Sequence, residues 1–155
     1  MITKVYLAGA SAELARAREW ASKLRDADIM VTSTWVEVIG RVGAANPANA
    51  TIEQLTKWVL RDLAEVSDSD VLWLLLPPLS IQTVGAWIEL GTAQNEKKHI
   101  VMSGPHRPIF TPVLANAHFE ADQAAFDYIQ EHHRVMVRGE VEAHTILKER
   151  LRLPR

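Results

Sequence analysis

The sequence predicts a small doubly wound α/β sandwich: a mostly parallel five-stranded sheet with helices on both faces. Three observations carry that expectation. Short apolar runs alternate with longer stretches of helical periodicity along the chain. The run Val71-Leu72-Trp73-Leu74-Leu75-Leu76 is apolar on both faces, as a central parallel strand covered by helices must be. The 155 residues fit one domain, with no repeat, linker or low-complexity tract to divide them. A chain of that size buries roughly 68–70% of its unfolded surface and needs no staple.

The elements follow in order. Val5-Tyr6-Leu7-Ala8 is a first strand, ending at Gly9. Ser11 is placed to cap a helix whose stripe runs through Leu14, Ala17, Trp20, Ala21 and Leu24. Ile29 to Trp35 reads as a second strand. Glu37 to Ala50, with Gly40, Gly43, Asn46, Pro47 and Asn49, reads as a loop, long enough to be a lid or binding loop. Thr51 with Gln54 fits a capping box for a helix reaching about Glu65. Pro77-Pro78 stops the central strand, and Val84 to Asn95 is helical. His99 to Met102 is a fourth strand, and the segment Phe110 to Phe119 holds a short fifth. Ala121–Arg134 and Glu142–Leu151 are two further helices. The alternation is flavodoxin- or Rossmann-like, and in such folds ligands sit outside the carboxyl ends of the strands, where strand order reverses.

Composition narrows the chemistry. The absence of cysteine excludes disulfide scaffolds, Cys-based zinc sites, iron–sulfur clusters and thiol catalysis. Seventeen basic against nineteen acidic residues argue against a dedicated nucleic-acid binder, whose affinity rests on Lys and Arg contacts to phosphates. No apolar run approaches the ~20 residues that span a bilayer. The amino terminus lacks the features of a secretory signal, so a cytoplasmic protein is expected. No nucleophile elbow is present.

Two carboxylates stand where a plain helix would not put them. Asp62 lies four after Trp58 and four before Val66, within the apolar face of its helix, where an unpaired acid is costly. The plainer alternative is an Asp at the edge of the stripe, paired with Arg61 or a backbone donor. Glu89 falls in the first turns of the helix that follows the central strand, with Gly85 one turn before it and Gly91 two residues after. A ligand can approach such a bare backbone closely. The alternative is an ordinary surface acid favoured by the helix dipole. As a pair near a strand-end crevice, the two suggest chemistry at a glycosidic bond, one carboxylate facing the sugar carbon and the other managing protons.

Three stretches resemble the nucleoside 2-deoxyribosyltransferases and their relatives, the 2′-deoxynucleoside 5′-monophosphate N-glycosidases. Val5-Tyr6-Leu7-Ala8-Gly9-Ala10-Ser11 resembles the family's opening strand and glycine turn. Arg61-Asp62-Leu63 with Asp70-Val71 resembles the segment of its helix aspartate and strand-leading acid. Thr83-Val84-Gly85-Ala86-Trp87-Ile88-Glu89-Leu90-Gly91 resembles its signature segment, and Lys98-His99-Ile100-Val101 the strand that follows. The resemblance covers roughly residues 2–130 of a single domain spanning 1–155, and 139–155 read as a carboxyl-terminal helix and tail.

The resemblance implies Glu89 as the nucleophile at C1′, Asp62 as proton relay to the leaving base, and Tyr6 beside the sugar and Glu89. It implies Gly9, Ser11, Thr83 and Gly85 at the substrate, no cofactor and no metal, and a homodimer or larger assembly with shared sites. Asn116 is its candidate for a contact across subunits. Thr83 stands where the transferases carry an aspartate and where the monophosphate hydrolases carry a hydroxyl that contacts phosphate. The hydrolases' Arg-Gly-Gly cradle has no counterpart in Ser11-Ala12-Glu13-Leu14. Transferase or hydrolase, nucleoside or nucleotide, stay open at this point. So do two rivals: a non-catalytic nucleotide-binding or sensing domain, and a structural protein.

Other features carry less. Trp35 and the Glu37–Ala50 loop are the candidates for base recognition, since an aromatic face stacks a base; Trp35 reads equally as a core aromatic. Trp20, Trp58, Trp73 and Trp87 read as core or interface aromatics. His132-His133 point about 100° apart on a helix, which suits a solvated helix end better than a metal. The basic tail from Lys148 to Arg155 reads as solvated, with an interaction segment as the alternative.

Overall fold

The computed structural model describes residues 2–39, 50–107 and 111–152, with backbone alone at 140 and 143–152. The elements are β1 (Lys4–Ala8), a 3₁₀ turn (Ser11–Glu13), α1 (Leu14–Asp26), β2 (Met30–Val31), α2 (Trp35–Val38), α3 (Ile52–Asp68), β3 (Val71–Leu75), α4 (Val84–Asn95), β4 (His99–Ser103), α5 (Thr111–Leu114), β5 (Ala117–Phe119) and α6 (Asp122–Arg152). The five strands are all parallel in the order β2-β1-β3-β4-β5. Strand order therefore reverses between β1 and β3. Every residue of β3 is buried, as expected of the middle strand.

Side-chain alternation sorts the helices onto the two faces. Trp73 packs 5.4 Å from Trp20 of α1, which lies 5.6 Å from Phe126 of α6, so α1 and α6 share one face. Leu7 pairs with Trp73 and points the same way. Tyr6 therefore points to the other face, where α3 and α4 pack on each other.

Polar side chains pin the first face at the carboxyl edge. Asp122 accepts from Arg16 Nη2 at 2.6 Å, Arg16 Nε at 2.7 Å, Trp20 Nε1 at 2.9 Å and Ser103 Oγ at 2.6 Å. Burial alone would raise its carboxyl, but those donors outweigh it and hold the group below the usual aspartate value. Gly104 ends β4 with φ +113°, and a Cβ there would lie 2.5 Å from Leu76 O, so only glycine fits this turn.

Five expectations need correction. The second strand is two residues long, because side chains take the β1 edge beyond it: Leu7 N donates to Ser33 Oγ at 3.1 Å, and Trp35 Nε1 donates to Leu7 O at 2.7 Å. Trp35 opens α2 and not a strand end. Ser11 caps nothing; it lies inside the 3₁₀ turn, and α1 starts after Glu13 without a side-chain cap. The last two helices are one, α6, which runs through exposed Gly139. His132 and His133 consequently sit mid-helix against the sheet. His132 stacks on His99 at 4.7 Å, and His133 Nδ1 lies 2.9 Å from Thr3 Oγ1. Burial and the neighbouring His132 push the His99 imidazole below its usual value.

The capping box of Thr51 and Gln54 and the limits of α4 agree with the sequence. Residues 40–49, within the anticipated loop, Phe110 and the last three residues of the tail lie outside the described residues. Among the described residues no helix is long and apolar enough to cross a membrane.

Candidate active site

The face shared by α3 and α4 brings together the residues singled out in the sequence. Tyr6, third residue of β1, is fully buried, and its hydroxyl donates to Glu89 Oε1 at 2.8 Å. Glu89 reaches it because α4 descends over β1 with Ala86, Leu90 and Ala93 buried against the sheet. The other oxygen, Oε2, accepts no hydrogen bond from the described residues. Thr83, just before α4, donates from Oγ1 to Gly9 O at 3.2 Å and ties the helix start to the turn after β1. A Cβ on Gly85 would meet nothing within 4 Å, so the helix is open one turn before Glu89.

Asp62 and Glu65 approach the same spot from α3. Asp62 accepts from Arg61 Nη2 at 2.8 Å and Nε at 3.1 Å, which is the pairing that a stripe-edge acid would make. Glu65 lies 3.8 Å from Arg61 Nε and also accepts from Thr34 N at 2.9 Å and Thr34 Oγ1 at 2.5 Å. One guanidinium therefore compensates two acids, and Glu89 has no cation among the described residues.

The electrostatics follow. Burial pushes the Glu89 carboxyl up to about 7; the Tyr6 hydrogen bond opposes this, and the charges of Asp62 and Glu65 add to it. Tyr6 is raised far above its ordinary value by burial first and by Glu89 and Asp62 next, so it remains a neutral donor. Strongly perturbed groups brought together by desolvation and named neighbours mark a functional-site candidate.

The sequence missed Glu65. Its signal was the i, i+3 spacing from Asp62, which puts both acids on one side of α3. One expected residue sits elsewhere. Trp35 is 6% exposed with its ring edge near Gly9 and its nitrogen bound inside, so it offers no free face to a base. Asn116 precedes the edge strand β5, three strands from Tyr6, and its Oδ1 accepts from Ile100 N at 2.7 Å. Ser11 is exposed at the 3₁₀ turn beyond Gly9, at the carboxyl edge. Asp70 receives Lys4 N at the opposite edge, away from Glu89.

No family model matches the chain, and no curated protein matches it by sequence. Solved structures do. The 2-deoxyribosyltransferase of the psychrotolerant bacterium Bacillus psychrosaccharolyticus is 20% identical, with a TM-score of 0.60 over 83% of this chain and 90% of that one. The CMP N-glycosidase of Clostridium botulinum is 17% identical, with a TM-score of 0.52 over 84% of this chain and 99% of that one. The likeness is one of fold. It is the α/β fold expected from the sequence, and its first neighbour bears the activity whose family the Thr83–Gly91 segment resembles.

The geometry yields a titration prediction. Glutamate-labelled protein followed by NMR across pH 4 to 9 is expected to show one carboxyl with a midpoint near 7. Tyr6→Phe should move that midpoint upward, because it removes the donor that favours the charged form. Asp62→Asn should move it downward, because it removes a like charge. A midpoint near 4.5 in the unsubstituted protein would contradict the burial of Glu89.

Proposed function

We propose that the protein is an enzyme that cleaves or exchanges the N-glycosidic bond of a (2′-deoxy)nucleoside or its 5′-monophosphate. The observation that carries this reading is the part-buried Tyr6–Glu89 hydrogen bond beside the Asp62 and Glu65 charges. Support also comes from the two structural neighbours, one named for deoxyribosyl transfer and the other for N-glycoside cleavage of CMP.

Glu89 is the nucleophile. A carboxyl near 7 is divided between acid and carboxylate at neutral pH, and its raised pKa makes the charged form a better nucleophile than an ordinary glutamate. Tyr6 holds Oε1 and leaves Oε2 for the sugar carbon. As the bond from Glu89 to C1′ forms, the bond from C1′ to the base nitrogen breaks and its electron pair leaves with the base. The base takes up a proton, relayed through Asp62, whose pairing with Arg61 keeps its carboxyl oriented. Water or a second base then attacks C1′ and releases Glu89. The positioning of Thr83 against Gly9 and the open backbone at Gly85 give the substrate its entry from the carboxyl edge.

Val59 and Leu60 on α3 and Val84 and Ile88 on α4 are all more than half exposed. Uncovered apolar surface of this kind supports self-association, with a neighbouring copy closing the site. Sedimentation at micromolar concentration should report a dimer or larger; a monomer would overturn this part.

Activity is tested by incubating the protein with deoxynucleosides, ribonucleosides and their monophosphates, with and without an acceptor base. Base release is expected, with kcat/KM rising as pH passes upward through about 7. Glu89→Ala should lower it by at least about a thousandfold with the fold intact, since loss of a covalent nucleophile costs orders of magnitude. Retention of more than about a tenth of the activity would sink the assignment.

A further inference from the structure

Arg61 and Asp62 are consecutive in α3, and consecutive helical residues point about 100° apart instead of facing each other. Their pairing is nevertheless close. Arg61 Nη2 and Nε both donate to Asp62 Oδ1, at 2.8 and 3.1 Å, and Oδ2 has no donor among the described residues. The guanidinium is therefore drawn across the helix surface, and Glu65 is the group placed to draw it. Four residues after Arg61 and three after Asp62, Glu65 is a helical neighbour of both. Its Oε1 lies 3.8 Å from Arg61 Nε.

An i, i+4 ion pair on a helix surface is usually loose, because ordering two long side chains offsets most of the attraction. Glu65 is already ordered from outside the helix. Its Oε2 accepts from Thr34 N at 2.9 Å and its Oε1 from Thr34 Oγ1 at 2.5 Å, so a residue 31 positions earlier holds both oxygens. The Glu65 side chain is also the most sheltered of the three, 15% exposed against 33% for Arg61 and 24% for Asp62. Among the described residues no hydrogen bond joins Glu65 to Tyr6 or Glu89, so its contact route into the site runs through Arg61.

We propose that Glu65 is a positioning residue: anchored by Thr34, it holds the Arg61 guanidinium against Asp62 Oδ1 and so fixes Oδ2 for proton transfer to the departing base. This rests on the reaction proposed above. When an ordinary base leaves, the electron pair of the broken C1′–N bond is taken up with a proton. A purine methylated at N7 is already cationic, and the same pair neutralises its ring without one. Misplacing Asp62 therefore slows departure of the first base and spares the second. Loss of the Glu65 charge also acts on Glu89, but Glu89 serves both substrates, so their ratio isolates the part played through Asp62.

Two measurements test it, one of them independent of catalysis. An NMR spectrum of nitrogen-labelled arginine side chains should show a slowly exchanging Nε–H resonance that is absent from Arg61→Lys. It should vanish in Glu65→Gln, which keeps the size and loses the charge, and weaken in Thr34→Val, which keeps the main-chain donor and loses the hydroxyl. In the base-release assay, corrected for spontaneous release, Glu65→Gln should lower kcat/KM for a purine 2′-deoxynucleoside at least about tenfold, within the range of general-acid contributions. For the N7-methylated cation of the same nucleoside the loss should stay under about threefold, because no proton is needed. Should Glu65→Gln not fold, Thr34→Val decides by the same comparison.

An Arg61 resonance unchanged in the folded variant overturns the positioning role whatever the activity. Equal losses on the two nucleosides, or no loss on either, overturn it as well. A Glu65-dependent Arg61 resonance without base release from any substrate would uphold the hold on Arg61 and refute the proposed reaction.

Discussion

A half-buried carboxyl beside two other carboxylates is the constraint around which this molecule is arranged. Glu89 cannot lie under α4 as a bare anion without a large desolvation cost, and Asp62 and Glu65 increase that cost. The structure could have placed a cation there; instead Arg61 is spent on Asp62 and Glu65. Among the described residues Glu89 receives only the neutral phenol of Tyr6. That choice of partner leaves the carboxyl near 7 and able to change charge state, whereas a salt bridge would have fixed it as a poorly reactive anion.

The rest of the fold keeps that arrangement rigid. Tyr6 sits on a strand buried between β2 and β3, and Glu89 on a helix whose apolar side covers the sheet. Asp122, Arg16, Trp20 and Ser103 lock the opposite face at the same edge. Thr34, at the start of α2, is held by Glu65, so the acidic cluster also anchors the segment leading toward residues 40–49. Sites built on strands and helices hold their geometry better than sites on loops, and here Tyr6, Asp62, Glu65 and Glu89 all come from strands and helices.

Much of this was legible in the sequence where local chemistry and tertiary packing agree. The double-sided apolar run of β3, the capping box of α3 and the span of α4 between Thr83 and Asn95 all followed from local patterns. Asp62 and Glu89 could be singled out because they broke such patterns. What failed depended on distant partners. The second strand is short because Ser33 and Trp35 replace its backbone bonds to Leu7. The same bond buries Trp35 and removes it as a stacking surface. The expected gap between Arg134 and Glu142 is helical in α6; its Gly139 is an exposed helical glycine, where the penalty is about 1 kcal/mol and does not end a helix. Glu65 looked ordinary because its partners, Thr34 and Glu89, lie far along the chain.

The proposed mechanism requires that Glu89 become covalently bonded to the sugar carbon. It is tested most directly by incubating the protein with a nucleoside or monophosphate whose sugar carries fluorine at C2′, which slows breakdown of the intermediate, and then mapping the adduct by mass spectrometry. One added glycosyl mass is expected, on the peptide that contains Glu89 and on that side chain. A glycosyl mass on another residue, or base release from this substrate without any adduct at Glu89, would contradict it.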